Sequence, residues 1–166
     1  MTTDTAVRDI PATVRALRDT QQVVDAVYRF GAGQDLRDPA LFLSAFAPDA
    51  VLDFTQPARR FGADVPVMHG RDAIATILTT LESLATTHTV TNPRVVLDGD
   101  RARLWALVEA QHVLRQERTR HLLLKNTYDV DLVHRDDRWV IASLTIRNVW
   151  SDGDGSVLFG RAPARR

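Results

Sequence analysis

Halfway along the chain the spacing of apolar residues changes from steps of three and four to steps of two. From about Thr87 onward four runs alternate apolar and polar residues, roughly Thr87–Leu97, Arg101–Arg115, Arg120–His134 and Arg138–Trp150. Short turn sequences separate them: Asp98-Gly99-Asp100, the polar segment Gln116–Thr119, and Arg135-Asp136-Asp137. Parallel neighbours need a crossover of a dozen or more residues, and these turns leave no room for one. The second half must therefore be a meander of antiparallel strands.

The first half reads differently. Val23, Val24, Val27 and Phe30 form an apolar stripe at helical spacing from about Asp19, with Tyr28 beside it. Gly31 and Gly33 are expected to weaken and end that helix. Asp38 reads as an N-cap with Pro39 at the first helical position, followed by Leu41, Phe42, Ala45 and Phe46 as a buried face. Pro48-Asp49 reads as a turn and Val51–Phe54 as a short strand. Gln56 to His69 reads as a long loop, and a third helix follows Gly70 with Ile74, Ile77, Leu78 and Leu81 as its stripe. The fold class is α+β, with three N-terminal helices on one face of a curved, mostly antiparallel sheet. Residues 1–18 are expected as an arm, 19–153 as one domain, and 154–166 as a tail. In the tail Val157-Leu158-Phe159 forms an apolar patch able to act as a lid.

Composition narrows the chemistry. The chain has 166 residues, the length of one domain, with 21 Lys plus Arg against 21 Asp plus Glu. That balance argues against nucleic acid or an anionic membrane as partner. The absence of cysteine excludes thiolate and zinc–cysteine chemistry and leaves five histidines as the carriers of proton chemistry near neutral pH. The N-terminus lacks a signal-peptide pattern, and the expected location is cytoplasmic. No histidine pair has metal-ligand spacing and there is neither a P-loop nor a GxGxxG, so neither a metal nor a cofactor is expected.

In the run from Arg101, His112 shares a face with Ala102, Leu104, Ala106, Val108 and Ala110. Small residues on that face leave space beside a titratable ring. His112 is either a pocket residue or a core histidine bonded to a backbone carbonyl. For His88 the alternation does not settle which face is buried. Asp35 lies in a polar segment whose cap is already Asp38. Arg147 interrupts an apolar strand, Leu144 to Trp150, and is either at an edge facing water or aimed into a cavity. His69, His121 and His134 occupy loop, outer-face and turn positions. Outward-facing Trp105 and Leu107, among Arg103, Glu109 and Gln111, mark a self-association surface.

Several segments, in this order and spacing, resemble the NTF2-like superfamily. They are Tyr28 through Asp35-Leu36-Arg37-Asp38 to Phe46-Ala47-Pro48-Asp49-Ala50-Val51, then Gly70-Arg71-Asp72-Ala73-Ile74, Thr87-His88-Thr89-Val90-Thr91-Asn92-Pro93, and Arg138-Trp139-Val140-Ile141. Within the superfamily they are similar to the SnoaL-like group that includes scytalone dehydratase, bile acid 7α-dehydratase and lindane dehydrochlorinase. The resemblance implies a cone-shaped fold and an acid–base pair at Asp35 and His88. It further implies a second histidine at His112 or a late arginine at Arg147. The family tyrosine's usual place is taken by Phe30, with Tyr28 two residues earlier. The implied activity is a cofactor-free lyase of the dehydratase type acting on a small apolar cyclic or polyketide-like molecule, in a homodimer or homotrimer. An isomerase or cyclase using the same pair, and a non-catalytic binding or structural subunit, stand as alternatives.

Overall fold

The computed structural model describes residues 10–160. Its elements in order are α1 (Ile10–Leu36), α2 (Pro39–Ser44), β1 (Phe46–Asp53), α3 (Thr55–Arg60), β2 (Met68–His69), α4 (Gly70–Thr80), β3 (Leu84–Asp98), β4 (Arg101–Leu114), β5 (His121–Arg135), β6 (Arg138–Gly153) and α5 (Ser156–Phe159). The six strands form one sheet in the order β2-β1-β6-β5-β4-β3. All neighbours are antiparallel except β1 and β6, which run parallel. The expected α+β architecture is present, with short helices α3 and α5 added to it. Among the described residues no helix is long and apolar enough to cross a membrane.

The first helix departs from expectation at both ends. Residues 1–9 of the expected arm lie outside the described residues, but from Ile10 the chain is already helical, and Ile10, Val14 and Leu17 on these first turns are exposed. At the other end, Gly31 and Gly33 do not terminate α1. Both are positions of close approach. A β-carbon on Gly33 would lie 2.4 Å from the backbone of Phe42, and one on Gly31 would lie 3.1 Å from the β-carbon of His88. Glycine is needed there because α2 and β3 pack directly on the helix backbone. The helix ends instead at Arg37, whose φ of 57° is left-handed. The Asp38 N–H bonds back to the Gly33 carbonyl at 3.0 Å and the Arg37 N–H to that of Gln34 at 3.3 Å, which satisfies two terminal carbonyls. Asp38 then caps α2 as expected, accepting from the Leu41 N–H at 2.9 Å with Pro39 at the first helical position.

The core lies between the helices and the inner face of the sheet. Val23, Val27 and Phe30 of α1, Phe42 of α2, Phe46 and Leu52 of β1, and Ile74 of α4 pack on Leu104, Val130, Leu132, Ile141 and Leu144. The strands largely alternate as their sequences dictate, with register shifts where β1 pairs β6, where β5 pairs β6, and within β3. Between Thr91 and Arg94, β3 carries one residue more than β4, and Asn92 takes a φ of 55°. This bulge switches the inward face. Leu84, Thr86, His88 and Val90 point inward before it, and Val95 and Leu97 after it.

Candidate active site

Asp35 sits on the last turn of α1, and Gly31, one turn earlier, lets the helix approach β3. The Asp35 carboxylate is thereby brought against two β3 residues on the inward face. His88 Nδ1 lies 2.7 Å from Asp35 Oδ1, the His88 backbone N–H donates to Oδ2 at 2.7 Å, and the Thr86 hydroxyl donates to Oδ1 at 2.9 Å. A carboxylate only accepts, so His88 carries its proton on Nδ1 and keeps Nε2 as the basic nitrogen. The His88 side chain is 4% exposed. Burial pushes the Asp35 carboxyl upward, but the hydrogen bond and charge of His88, with the His88 N–H and Thr86 hydroxyl, outweigh it and hold the group below its ordinary value.

His112 faces the same space from β4, its ring centroid 6.0 Å from that of His88 and edge-on at 86°. It is buried, and its Nδ1 stands 3.3 Å from the Leu122 carbonyl. A carbonyl can only accept, so His112 Nδ1 is protonated. Burial, then the neighbouring His88, pushes its pKa down to about 4. Both readings left open for this residue hold together: it bonds a backbone carbonyl and lines a cavity.

The sign of the resulting pH dependence is fixed. Unfolding frees His112 to titrate near 6.5, so between about 6.5 and 4 the unfolded chain binds the extra proton and stability falls as pH falls. Asp35 acts in the same direction below its unfolded value of 3.8. Urea titrations between pH 7 and 4 are expected to show a loss on the order of 3 kcal/mol from His112. His112→Gln should flatten that slope, and an unchanged slope would place the titrating group elsewhere.

The cavity in front of the histidines measures about 570 Å³, within the usual range for small-molecule sites. Phe30, Leu52, Phe54, Phe61, Met68, Ile77, Leu124 and Ile146 give it apolar walls, and Gln34, His88, His112, Asn126 and Tyr128 give it polar points. The tail patch forms α5, and Leu158 and Phe159 line the cavity. Phe159 lies between Phe54 at 5.8 Å and Phe61 at 5.1 Å, with the rings nearly parallel.

Two expected site residues do not reach this cavity. Tyr28 is 43% exposed, off the buried stripe of α1, while Phe30 takes the inward position. Arg147 is exposed on the outer face of β6, because Leu144, Ile146 and Asn148 occupy the inward positions of that strand. The phenol in the cavity belongs to Tyr128 on β5, and burial raises its pKa so that it stays an O–H donor. Asn126 and Tyr128 were findable by the alternation that located His112, since Leu122, Leu124, Asn126 and Tyr128 share one face. Gln34 carried no such signal. Its buried amide donates to the Phe30 carbonyl at 3.2 Å and lines the cavity that His88 also lines.

The fold and sequence have known counterparts. A protein named terrestric acid biosynthesis cluster protein E, from Penicillium crustosum, is 32% identical over 154 residues, covering 88% of this chain and 92% of that one. Among solved structures, a putative scytalone dehydratase from Novosphingobium aromaticivorans superposes with a TM-score of 0.73 at 19% identity, over 86% of this chain and 91% of that one. The hexachlorocyclohexane dehydrochlorinase LinA-type3 from Novosphingobium barchaimii superposes at 0.71 and 16% identity, over 86% and 94%. At these identities the structural likeness speaks for the fold, which is the expected NTF2-like one. A sequence model of the SnoaL-like domain matches residues 15–145, most of the chain, and the protein therefore belongs to the SnoaL-like domain family.

Proposed function

We propose that the protein is a cofactor-independent lyase that eliminates water from a small, neutral, mostly apolar cyclic or polyketide-like molecule. One observation carries this reading: a buried imidazole, fixed as the Nδ1–H tautomer by Asp35 at 2.7 Å, lines an apolar cavity. His88 Nε2 takes the proton from the carbon next to a carbonyl, and Asp35 stabilises the imidazolium that forms. The electron pair moves onto the carbonyl oxygen, where the protonated Tyr128 phenol is the available donor. As the C–O bond at the next carbon breaks, the hydroxide leaves with the proton that His88 had taken, giving an unsaturated ketone and water. His112 is neutral, with its only ring proton on the Leu122 carbonyl. It therefore accepts a hydrogen bond from the leaving hydroxyl or a water and is not the acid. The names of the structural counterparts, one a dehydratase and one a dehydrochlorinase, support elimination chemistry. That of the Penicillium relative supports a small-molecule substrate.

The test is a panel of neutral cyclic hydroxy ketones in D2O. The expected result is loss of water from at least one of them, with enone appearing. Deuterium entering the α-carbon without water loss would favour an isomerase using the same dyad. Tight binding with neither change would establish a binding module.

The outer sheet face is the proposed contact between copies. Trp105, Val149 and Trp150 are exposed there, and ion pairs of Arg103 with Asp129 and Lys125 with Glu109 make the face mixed in charge. Sedimentation at micromolar concentration is expected to show a dimer or trimer that Trp105→Glu dissociates. A monomeric wild type would remove the proposal.

A further inference from the structure

Arg37 stands one residue beyond α1 in a left-handed conformation that a β-carbon disfavours. Its side chain folds back into the protein and donates to four acceptors. These are the carbonyl of Gln34, those of Leu81 at 2.8 Å and Leu84 at 2.6 Å, and the Thr86 hydroxyl oxygen at 3.3 Å. The carbonyls belong to the end of α1, the end of α4 and the start of β3, where a basic residue serves as an ordinary cap. The contact with Thr86 has no such role. A guanidinium has no lone pair to offer, so the Thr86 oxygen receives from Arg37 and its own proton is left for Asp35 Oδ1 at 2.9 Å. The result is a directed chain from Arg37 through Thr86 and Asp35 to His88, in which each donor polarises the next. The guanidinium keeps this pose although its Nε is buried without a partner among the described residues, a desolvation cost that capping alone does not require.

We propose that Arg37 is a positioning residue of the dyad: by donating to Thr86 it commits the Thr86 proton to Asp35 and holds in place the carboxylate oxygen that receives His88 Nδ1–H. This rests on Asp35 and His88 working as a pair and adds a residue outside the cavity lining that sets their state. The charged and titratable groups around the chain are His88 on β3, His112 on β4, Tyr128 on β5, and Arg115, whose Nε shares the Leu84 carbonyl at 3.0 Å. Arg37 and Arg115 are the cations of this group. The Arg37 charge also opposes protonation of His112. One guanidinium thus favours a charged Asp35 and an uncharged His112.

Nuclear magnetic resonance of the full chain, with ¹⁵N-labelled histidine and ¹³C-labelled aspartate, tests this without any substrate. Wild type is expected to show His88 as the Nδ1–H tautomer, and an Nε2–H tautomer would overturn the proposal at once. Thr86→Val removes the hydroxyl and leaves the three carbonyl contacts of Arg37 in place. It is expected to raise the midpoint of Asp35 titration by about one pH unit and to shift the His88 Nδ1 resonance, since Oδ1 loses one of its two donors. Thr86→Ser should keep the wild-type state. Arg37→Met is expected to match Thr86→Val, and Arg37→Lys to rescue only in part, because an ammonium cannot span carbonyls and hydroxyl together. If Thr86→Val melts like wild type and moves neither resonance, Arg37 is a helix cap only and the proposal falls. If Arg37→Met does not fold, Thr86→Val decides alone. A protein with the expected resonances but no turnover would overturn the lyase reading while sustaining this one.

Discussion

Replacing His88 with glutamine is expected to lower kcat by about 10²–10⁴-fold on any substrate that wild type dehydrates, the range for loss of a positioned general base. Glutamine fills similar volume and can still bond Asp35, so the cavity and substrate binding should survive within a few-fold. The lost capacity is that of Nε2 to take a proton. Asp35→Asn should fall in the same direction, since an amide can present an N–H where the carboxylate accepted, favouring the wrong tautomer and leaving the imidazolium without its counter-charge. Two controls sharpen the result. Tyr28→Phe and Arg147→Ala alter exposed groups outside the cavity and should change kcat by less than about twofold, the surface-substitution range. Steady-state kinetics on the four purified variants decides the matter. An equal loss in Arg147→Ala, or turnover retained in His88→Gln, would move the chemistry away from the dyad.

Gly33→Ala is expected to destabilise the protein by about 3 kcal/mol, at the upper end of what overpacking usually costs. In an exposed helix interior the same change stabilises by about 1 kcal/mol, because glycine is the poorer helix former. Here the added methyl would stand 2.4 Å from the backbone of Phe42, which cannot swing aside as a side chain can. Either α2 moves off α1 or the helix bends, and both open the aromatic cluster of Phe30, Phe42 and Phe46, whose centroids lie 5.3–5.7 Å apart. Thermal melts should show a midpoint lower by roughly 10 °C for a chain of this size. Gly31→Ala makes a softer contact, 3.1 Å to the His88 β-carbon, and should cost less stability but more activity. A higher melting temperature for Gly33→Ala would show that helix propensity governs the site.

Much of this was legible in the sequence, and the boundary has physical causes. A period of two places every residue of an unbroken strand, so His112 could be assigned to the inner face from its neighbours alone, and the same rule held the signal for Asn126 and Tyr128. It could not place His88, because the extra residue near Asn92 reverses the alternation within β3 and the two halves of the strand give opposite answers. The glycines of α1 misled for a related reason. Propensity describes a helix in water, whereas Gly31 and Gly33 are set by what packs against them. Asp35 was visible as a carboxylate without a local role, but its partner lies 53 residues away and only the docking of α1 on β3 joins them. Arg147 illustrates the opposite error, in which an unusual residue in an apolar strand proves to be an ordinary one on the outer face.

The same irregularity in β3 has a meaning for how such a protein changes over generations. A continuous strand would tie the fate of Thr86 and His88 to that of Val95 and Leu97, since any one-residue insertion or loss would turn both pairs over at once. With the spare residue placed between them, the strand consists of two cassettes joined at Asn92-Pro93, one carrying Thr86 and His88 between the core residues Leu84 and Val90, the other carrying Val95 and Leu97. Each can be exchanged for a length of different sequence without disturbing the facing of the other. Libraries that vary the inward positions of Thr86 and His88 for new reactions can therefore keep Leu84 and Val90 and leave 94–98 untouched.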